Sequence, residues 1–175
     1  EGIRACDVTG VQTGALRISG CVGSDEKAEL AQAHGCDHAI LYNKESIPDR
    51  VREITGGEGA AVAYDSIGKD TFEASLDSLR PFGVMVSFGN ASGPVTSFAP
   101  ASLGAKGSLY LTRPSLVTYT ATRKELEASA KALFTMVKSG KVKIEINQTY
   151  ALKNAKQAHS DLEGRKTTGS TILIP

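Results

Sequence analysis

Apolar runs too short to be helices recur along the first part of this chain, each followed by a stretch with helical spacing. That alternation limits the possible folds more than any other feature. "ALRISGCV" (15–22) reads as a strand, and "DEKAELAQAH" (25–34) as a helix stopped by Gly35. "HAILY" (38–42) is a second strand. "IPDRVREIT" (47–55) is a helix with Ser46 as its cap, Pro48 in its first turn and Gly56-Gly57 at its end. "AAVAYDS" (60–66) is a strand of small and apolar residues, and "DTFEASLDSL" (70–79) a helix with Phe72, Leu76 and Leu79 on one face. "VMVSF" (84–88) and "SLYLT" (108–112) are glycine-bounded runs that suit strands buried on both faces. The order β-α-β-α-β-α-β-β predicts an α/β fold with a doubly wound parallel sheet.

After Thr112 the rhythm changes, so the chain divides into 1–112 and 113–175. "TRKELEASAKALFTMVKSG" predicts one long amphipathic helix whose buried stripe is Leu126, Ala130, Leu133, Phe134 and Val137. "KVKIEINQTY" (141–150) alternates, with Val142, Ile144 and Ile146 on one face, which predicts a half-buried strand in an antiparallel setting. A helix "LKNAKQAHSDLEG" (152–164) and a strand "STILIP" (170–175) complete this second, α+β part.

Several function classes are excluded by composition. Twenty Lys and Arg balance nineteen Asp and Glu, so no global field points to nucleic acid or to a membrane. No apolar run approaches the ~18 residues of a membrane span. Cys6, Cys21 and Cys36 are odd in number and lack CxxC spacing, which encodes neither a disulfide framework nor a metal site. Unpaired thiols suit a reducing compartment, and a cytoplasmic location is expected. His34, His38 and His159 are scattered, and no Ser-His-Asp or metal-ligand spacing is present.

A doubly wound dinucleotide fold opens with a strand, a G-x-G-x-x-G loop and a helix whose N-terminus holds the pyrophosphate. Gly2, Gly10 and Gly14 have the wrong spacing for that loop. "GNASG" (89–93) follows a strand, but Pro94 rather than a helix comes next. "TGGEG" (55–59) reads as a helix end and a turn. One detail at the first strand-helix junction, "CVGSDEKAEL" (21–30), needs a reason. Ser24 is a good N-cap and Asp25 and Glu26 suit the positive end of the helix, but Lys27 has the wrong sign for that turn. Two readings stay open locally: a cap beside a solvated lysine, or an anion subsite built from a hydroxyl, helix N–H groups and an ammonium.

The runs "VGSDEKAELAQAHGCDHAI", "YDSIGKDTFEASLDSLRPFGVMVSFGNASGPV", "KGSLYLTRPSL" and "AHSDLEGRKTTGSTILIP" resemble the zeta-crystallin-like NADPH:quinone oxidoreductases. These are zinc-free members of the medium-chain dehydrogenase/reductase superfamily. The resemblance covers about residues 20–175. It implies a Rossmann-type sheet followed by a C-terminal segment that returns to the family's catalytic domain. The family's glycine loop and the strand before it have no counterpart, so the sheet is expected to lack its first strand. The central slot would then be filled by residues 1–14 as an irregular strand, by a second chain, or by a rearranged sheet.

The resemblance implies NADP(H) as cofactor and a quinone or similar conjugated acceptor as substrate. Gly23, Ser24 and Lys27 would receive the 2′-phosphate, with Asp25 and Glu26 turned away. Asn43 falls where the family often has a ribose-contacting tyrosine, the local order being Tyr42-Asn43. Gly68 would let the nicotinamide ribose approach. Phe88, Gly89 and Asn90 would lie beside the nicotinamide, Leu111, Thr112 and Arg113 would end the last strand, and Arg165 would close over the cofactor. No catalytic side chain is expected within the chain. It is thus expected to be part of a quinone reductase, with a non-catalytic remnant and an enal or enone reductase as alternatives. A homodimer through strand 106–112 is expected, with no nucleic-acid partner, no membrane partner and no metal.

Overall fold

The computed structural model describes residues 17–175. The expectations for residues 1–14 lie outside these described residues. The chain divides into two compact units, the first ending at Ser115 and the second spanning Leu116–Pro175.

The first unit is a series of parallel βα steps. Strand β1 (Ser19–Val22) leads through helix α1 (Asp25–Ala33) to strand β2 (His38–Leu41), and β1 and β2 pair in parallel with Cys21 opposite Ile40. Ser24 caps α1 as its sequence predicts, its hydroxyl accepting from the Lys27 backbone N–H at 3.3 Å. Helix α2 (Ile47–Ile54) begins after Ser46, yet the Ser46 side chain makes no capping bond, and Pro48 in the first turn sets the helix start instead.

Strand β3 (Ala60–Asp65), helix α3 (Phe72–Asp77), strand β4 (Leu79–Ser87), helix α4 (Ala101–Ala105) and strand β5 (Tyr110–Thr112) form the second set. Their sheet runs β3-β4-β5, all parallel. This is the doubly wound α/β class. Two details differ from the sequence reading. Leu79 opens β4 rather than closing α3, because its backbone pairs with Ala60. Residues 80–83 then bulge out, with Phe82 at φ 61°, before the ladder resumes at Val84 opposite Val62. The short helix α4 carries the crossover from β4 to β5 and was not expected. Its Gly104 gives it little intrinsic helix signal.

Phe72, Leu76, Leu79, Met85 and Leu109 form the buried core between α3 and this sheet, with the Phe72 and Phe98 rings edge to face at 5.6 Å. The strands are less uniformly covered than expected for a parallel sheet. Val62 and Tyr64, which share one face of β3, are exposed, and no strand among the described residues joins β1 to β3. The two sheets are linked through their helices. The Arg52 guanidinium on α2 donates to the Asp77 carbonyl at the end of α3 at 2.9 Å.

The second unit holds helices α5 (Leu116–Tyr119) and α6 (Arg123–Lys138), strand β6 (Ile146–Ala151), a 3-10 turn (Leu152–Asn154), helix α7 (Ala155–Glu163) and strand β7 (Ser170–Ile174). Thr122 and Glu125 close a reciprocal capping box on α6. Two expectations are corrected here. Strands β6 and β7 pair in parallel, with Thr149 opposite Ile172, because α7 is a crossover long enough to return the chain in the same direction. Val142 and Ile144 precede the strand and are exposed. The α6 stripe is also not buried: Leu126, Leu133 and Phe134 are exposed, the last at 61%. An amphipathic period reports a face that suits burial, and whether another surface covers it is a tertiary matter. No helix among the described residues is long and apolar enough to cross a membrane.

Candidate functional site

The carboxyl ends of the parallel strands in the first unit carry two clusters of the residues singled out above. The first lies where β1 and β2 end. Gly23 follows β1, and Ser24 and Lys27 form the first turn of α1. Asn43 reaches back from the end of β2 and donates from Nδ2 to the Gly23 carbonyl at 3.1 Å, so its amide is engaged with backbone. The sequence reading passed over Tyr42 in favour of Asn43. It is the Tyr42 ring that lies over Gly23, where an added Cβ would stand 2.6 Å from its hydroxyl oxygen.

The carboxylates of this turn follow a pattern the sequence left unexplained. Asp25 is drawn to the Lys44 ammonium, Nζ to Oδ2 at 2.8 Å, from the turn that follows β2. Lys44 thereby offsets one negative charge beside the N-terminus of α1. Both side chains are well exposed, so the pair contributes little to stability. Its effect is local, on the field at the helix end.

The second cluster lies where β3, β4 and β5 end. The loops 66–71 and 88–93 are stitched together by backbone bonds. Phe88 N and Gly89 N donate to the Asp65 carbonyl at 2.8 and 3.3 Å, Ser92 N to the Ile67 carbonyl at 2.8 Å, and Lys69 N to the Gly93 carbonyl at 3.0 Å. The approach is so close that a Cβ on Gly89 would lie 2.1 Å from the Ser66 carbonyl oxygen. Gly68 is buried at φ 90°, a conformation side chains disfavour. Leu111 and Thr112 sit in the ladder opposite Met85 and Val86. From the end of β5, Arg113 crosses to β4 and donates from Nη1 to the Ser87 carbonyl at 2.8 Å. With the Asn90 amide turned so that its oxygen faces Arg113, it accepts from Nη2 at 3.3 Å and donates to the Gly89 carbonyl at 2.8 Å. Gly68, Gly89, Asn90 and Arg113 are therefore one assembly, and Phe88 is exposed at its rim.

Asp65 stands at the centre of this assembly and was not singled out from sequence. Its carboxylate is buried and accepts from Ile67 N at 2.7 Å, Gly68 N at 2.9 Å, Thr71 Oγ1 at 2.7 Å and Ser75 Oγ at 2.8 Å. Burial alone would raise its pKa, but the Gly68 amide, the two hydroxyls and the Ile67 amide outweigh that and hold it below the ordinary aspartate value. The available signal was an aspartate ending an apolar strand with hydroxyl residues six and ten positions later. Burial, then the Asp65 carboxylate and the Cys36 thiol, push the Cys21 thiol up. Cys21 is exposed by surface area but crowded by its neighbours.

Arg165 belongs to the second unit, exposed just after α7 at φ 58°. Nearby, the Tyr150 hydroxyl donates to Asp161 at 3.0 Å and ties α7 to β6. Among the described residues no group of three His, Cys, Asp or Glu is placed to hold a metal ion.

Comparison with known proteins adds a second line of observation. The family model described as zinc-binding dehydrogenase matches residues 34–173. A quinone oxidoreductase of Salmonella typhimurium is 53% identical over 161 residues, covering 91% of this chain and 49% of its own. A 2-haloacrylate reductase of a Burkholderia species is 44% identical, over 90% of this chain and 48% of its own. Among solved structures, Escherichia coli quinone oxidoreductase complexed with NADPH superposes with a TM-score of 0.87 at 47% identity, over 91% of this chain and 49% of that one. The chain spans about half the length of the relatives it matches.

Proposed function

This chain belongs to the zinc-binding dehydrogenase family, and on that premise we propose that it is the cofactor-binding part of an NADPH-dependent quinone oxidoreductase. The observation that carries the reading is the cluster of Gly23, Ser24, Lys27 and Tyr42 at the end of β1, in a fold matching a quinone oxidoreductase complexed with NADPH. The residues present fit a dinucleotide better than a metal, for which the described residues offer no donor set.

In this reading the Lys27 ammonium and the N–H groups at the start of α1 bind the 2′-phosphate, while Gly23, having no side chain, lets the Tyr42 ring pack against the turn and shape the ribose side of the site. Lys44 draws Asp25 aside, which reduces repulsion of a dianion. At the other cluster, Gly68 and Gly89 let backbone approach the nicotinamide end, and Arg113 holds Asn90 beside it. The cofactor, when bound, supplies the hydride. The chain's own groups bind, orient and shield, and none is assigned a proton-transfer step. In the same proposal residues 1–112 are the nucleotide-binding portion, and residues 113–175, with Arg165, are the segment that returns to a catalytic domain.

The acceptor is a quinone in this proposal. Identity of 44% with a 2-haloacrylate reductase favours a second reading, in which the acceptor is an activated alkene. A homodimer through strand 106–112 is supported by the position of β5 at the edge of its sheet, with Tyr110 exposed. Free Cys21 and Cys36 support a cytoplasmic setting. Calorimetric titration of the chain with NADPH and with NADH tests the cofactor reading. Tighter binding of NADPH is the expected result, and equal or absent binding of both overturns it.

A further inference from the structure

Asp65 is buried, and no step of the proposed reaction uses it. Nevertheless its carboxylate accepts four hydrogen bonds. Its carboxylate oxygens divide the work. Oδ1 accepts from the backbone N–H groups of Ile67 and Gly68, and Oδ2 from the hydroxyls of Thr71 and Ser75 at the start of α3. Its own carbonyl accepts from Phe88 N and Gly89 N on the neighbouring loop. One residue thus determines where Gly68 lies relative to its strand and where Gly89 lies relative to Gly68.

From this geometry we propose that Asp65 is a positioning residue for the nicotinamide end of the cofactor site, holding loop 66–71 and, through it, loop 88–93 in the binding conformation. Gly68 at φ 90° is one of many conformations open to a glycine, so an unbraced loop would populate others. The carboxylate selects one of them before any ligand arrives. Pre-organisation of this kind acts on binding by lowering the ordering cost. It is confined to this loop pair, since the donors to the Asp65 carboxylate come from residues 67–75 and those to its carbonyl from Phe88 and Gly89. The 2′-phosphate turn at Gly23–Lys27 is on another sheet.

The inference rests on the proposed cofactor reading and separates from it experimentally. The whole chain is titrated with NADPH and with adenosine 2′,5′-bisphosphate, which lacks the nicotinamide half. Asp65→Ala should weaken NADPH by about ten-fold or more, the scale of losing charge-assisted bonds, and leave the bisphosphate unchanged. Asp65→Asn should restore most of the loss, its oxygen serving the two amides and its NH2 donating to the two hydroxyls, which can reverse. Thr71→Val, which removes one donor and keeps the fold, should give a smaller loss in the same direction. Equal weakening of both ligands, or of neither, by Asp65→Ala and Thr71→Val overturns the proposal. If wild type binds neither ligand, the cofactor reading fails, and hydrogen exchange on the free chain decides this one. Faster exchange at Ile67, Gly68, Phe88 and Gly89 in Asp65→Ala, with β1 and β2 unchanged, upholds the bracing. Unchanged exchange there overturns it.

Discussion

The Tyr42 ring closes over Gly23 so tightly that a single added carbon on the glycine would stand 2.6 Å from the tyrosine hydroxyl oxygen. The clashing atom is the far end of a side chain, so Gly23→Ala should fold with a loss of no more than about 1 kcal/mol. Tyr42 must swing aside, however, and the ribose pocket changes shape. NADPH affinity should fall by about ten-fold, or about 1.4 kcal/mol, with little change in urea midpoint. Parallel titration and unfolding of the variant would check both halves.

Lys27→Ala should weaken NADPH by about 1–2 kcal/mol, the scale of a charge-assisted hydrogen bond, and leave NADH nearly unchanged. An equal loss for both cofactors would remove the 2′-phosphate from this turn.

Gly89→Ala should behave differently from Gly23→Ala, although both add one carbon. Here the obstacle is the Ser66 backbone at 2.1 Å, which cannot rotate away. A cost of about 3 kcal/mol is expected, read as a lowered urea midpoint, because the two loops must separate. A variant as stable as wild type would mean that the contact is looser than the structure shows.

Asp65 also carries a pH dependence. Its carboxyl is held below its ordinary value of 3.8 in the folded chain. The folded state therefore binds fewer protons at this group than the unfolded state as the pH approaches that value. The stabilisation is present in full above the ordinary value and is lost as pH falls through the lower folded one. Asp65→Asn should flatten this acid limb of the stability curve while leaving the neutral region less affected. An unchanged acid limb would count against an ionised, bonded Asp65.

Turnover is open to a direct test as well. Among the described residues no glycine-rich loop joins a strand to a helix in the manner of a pyrophosphate cradle, and the chain spans half the length of its relatives. The 175-residue chain by itself should show no NADPH-dependent reduction of benzoquinone above the rate without protein. Saturable activity from the purified chain, followed at the NADPH absorbance, would refute that.

What the sequence determined alone is the set of elements that short-range forces decide. Apolar runs bounded by glycine became β1 to β5, and Ser24 and Thr122 cap their helices as their positions demand, since a cap bonds within one turn. The order of strands and helices, and hence the doubly wound class, follows from the same local signals. That Gly23, Ser24, Lys27, Gly68, Gly89 and Asn90 follow strands was legible from the same signals, which puts them at the carboxyl edge of a parallel sheet, while their cofactor roles rest on the resemblance and are proposals. Only the tertiary structure decided what those residues meet. Tyr42 over Gly23, Lys44 on Asp25, Arg113 across to Ser87 and the four donors on Asp65 join residues whose separation in sequence carries no periodic signal. The same limit explains the misread second unit. Alternation in "KVKIEI" marks a face but not the direction of a neighbour, and the parallel pairing of β6 with β7 depends on the α7 crossover between them. Likewise the apolar stripe of α6 is written in its own sequence, whereas its cover would have to come from another surface, and Leu133 and Phe134 remain exposed.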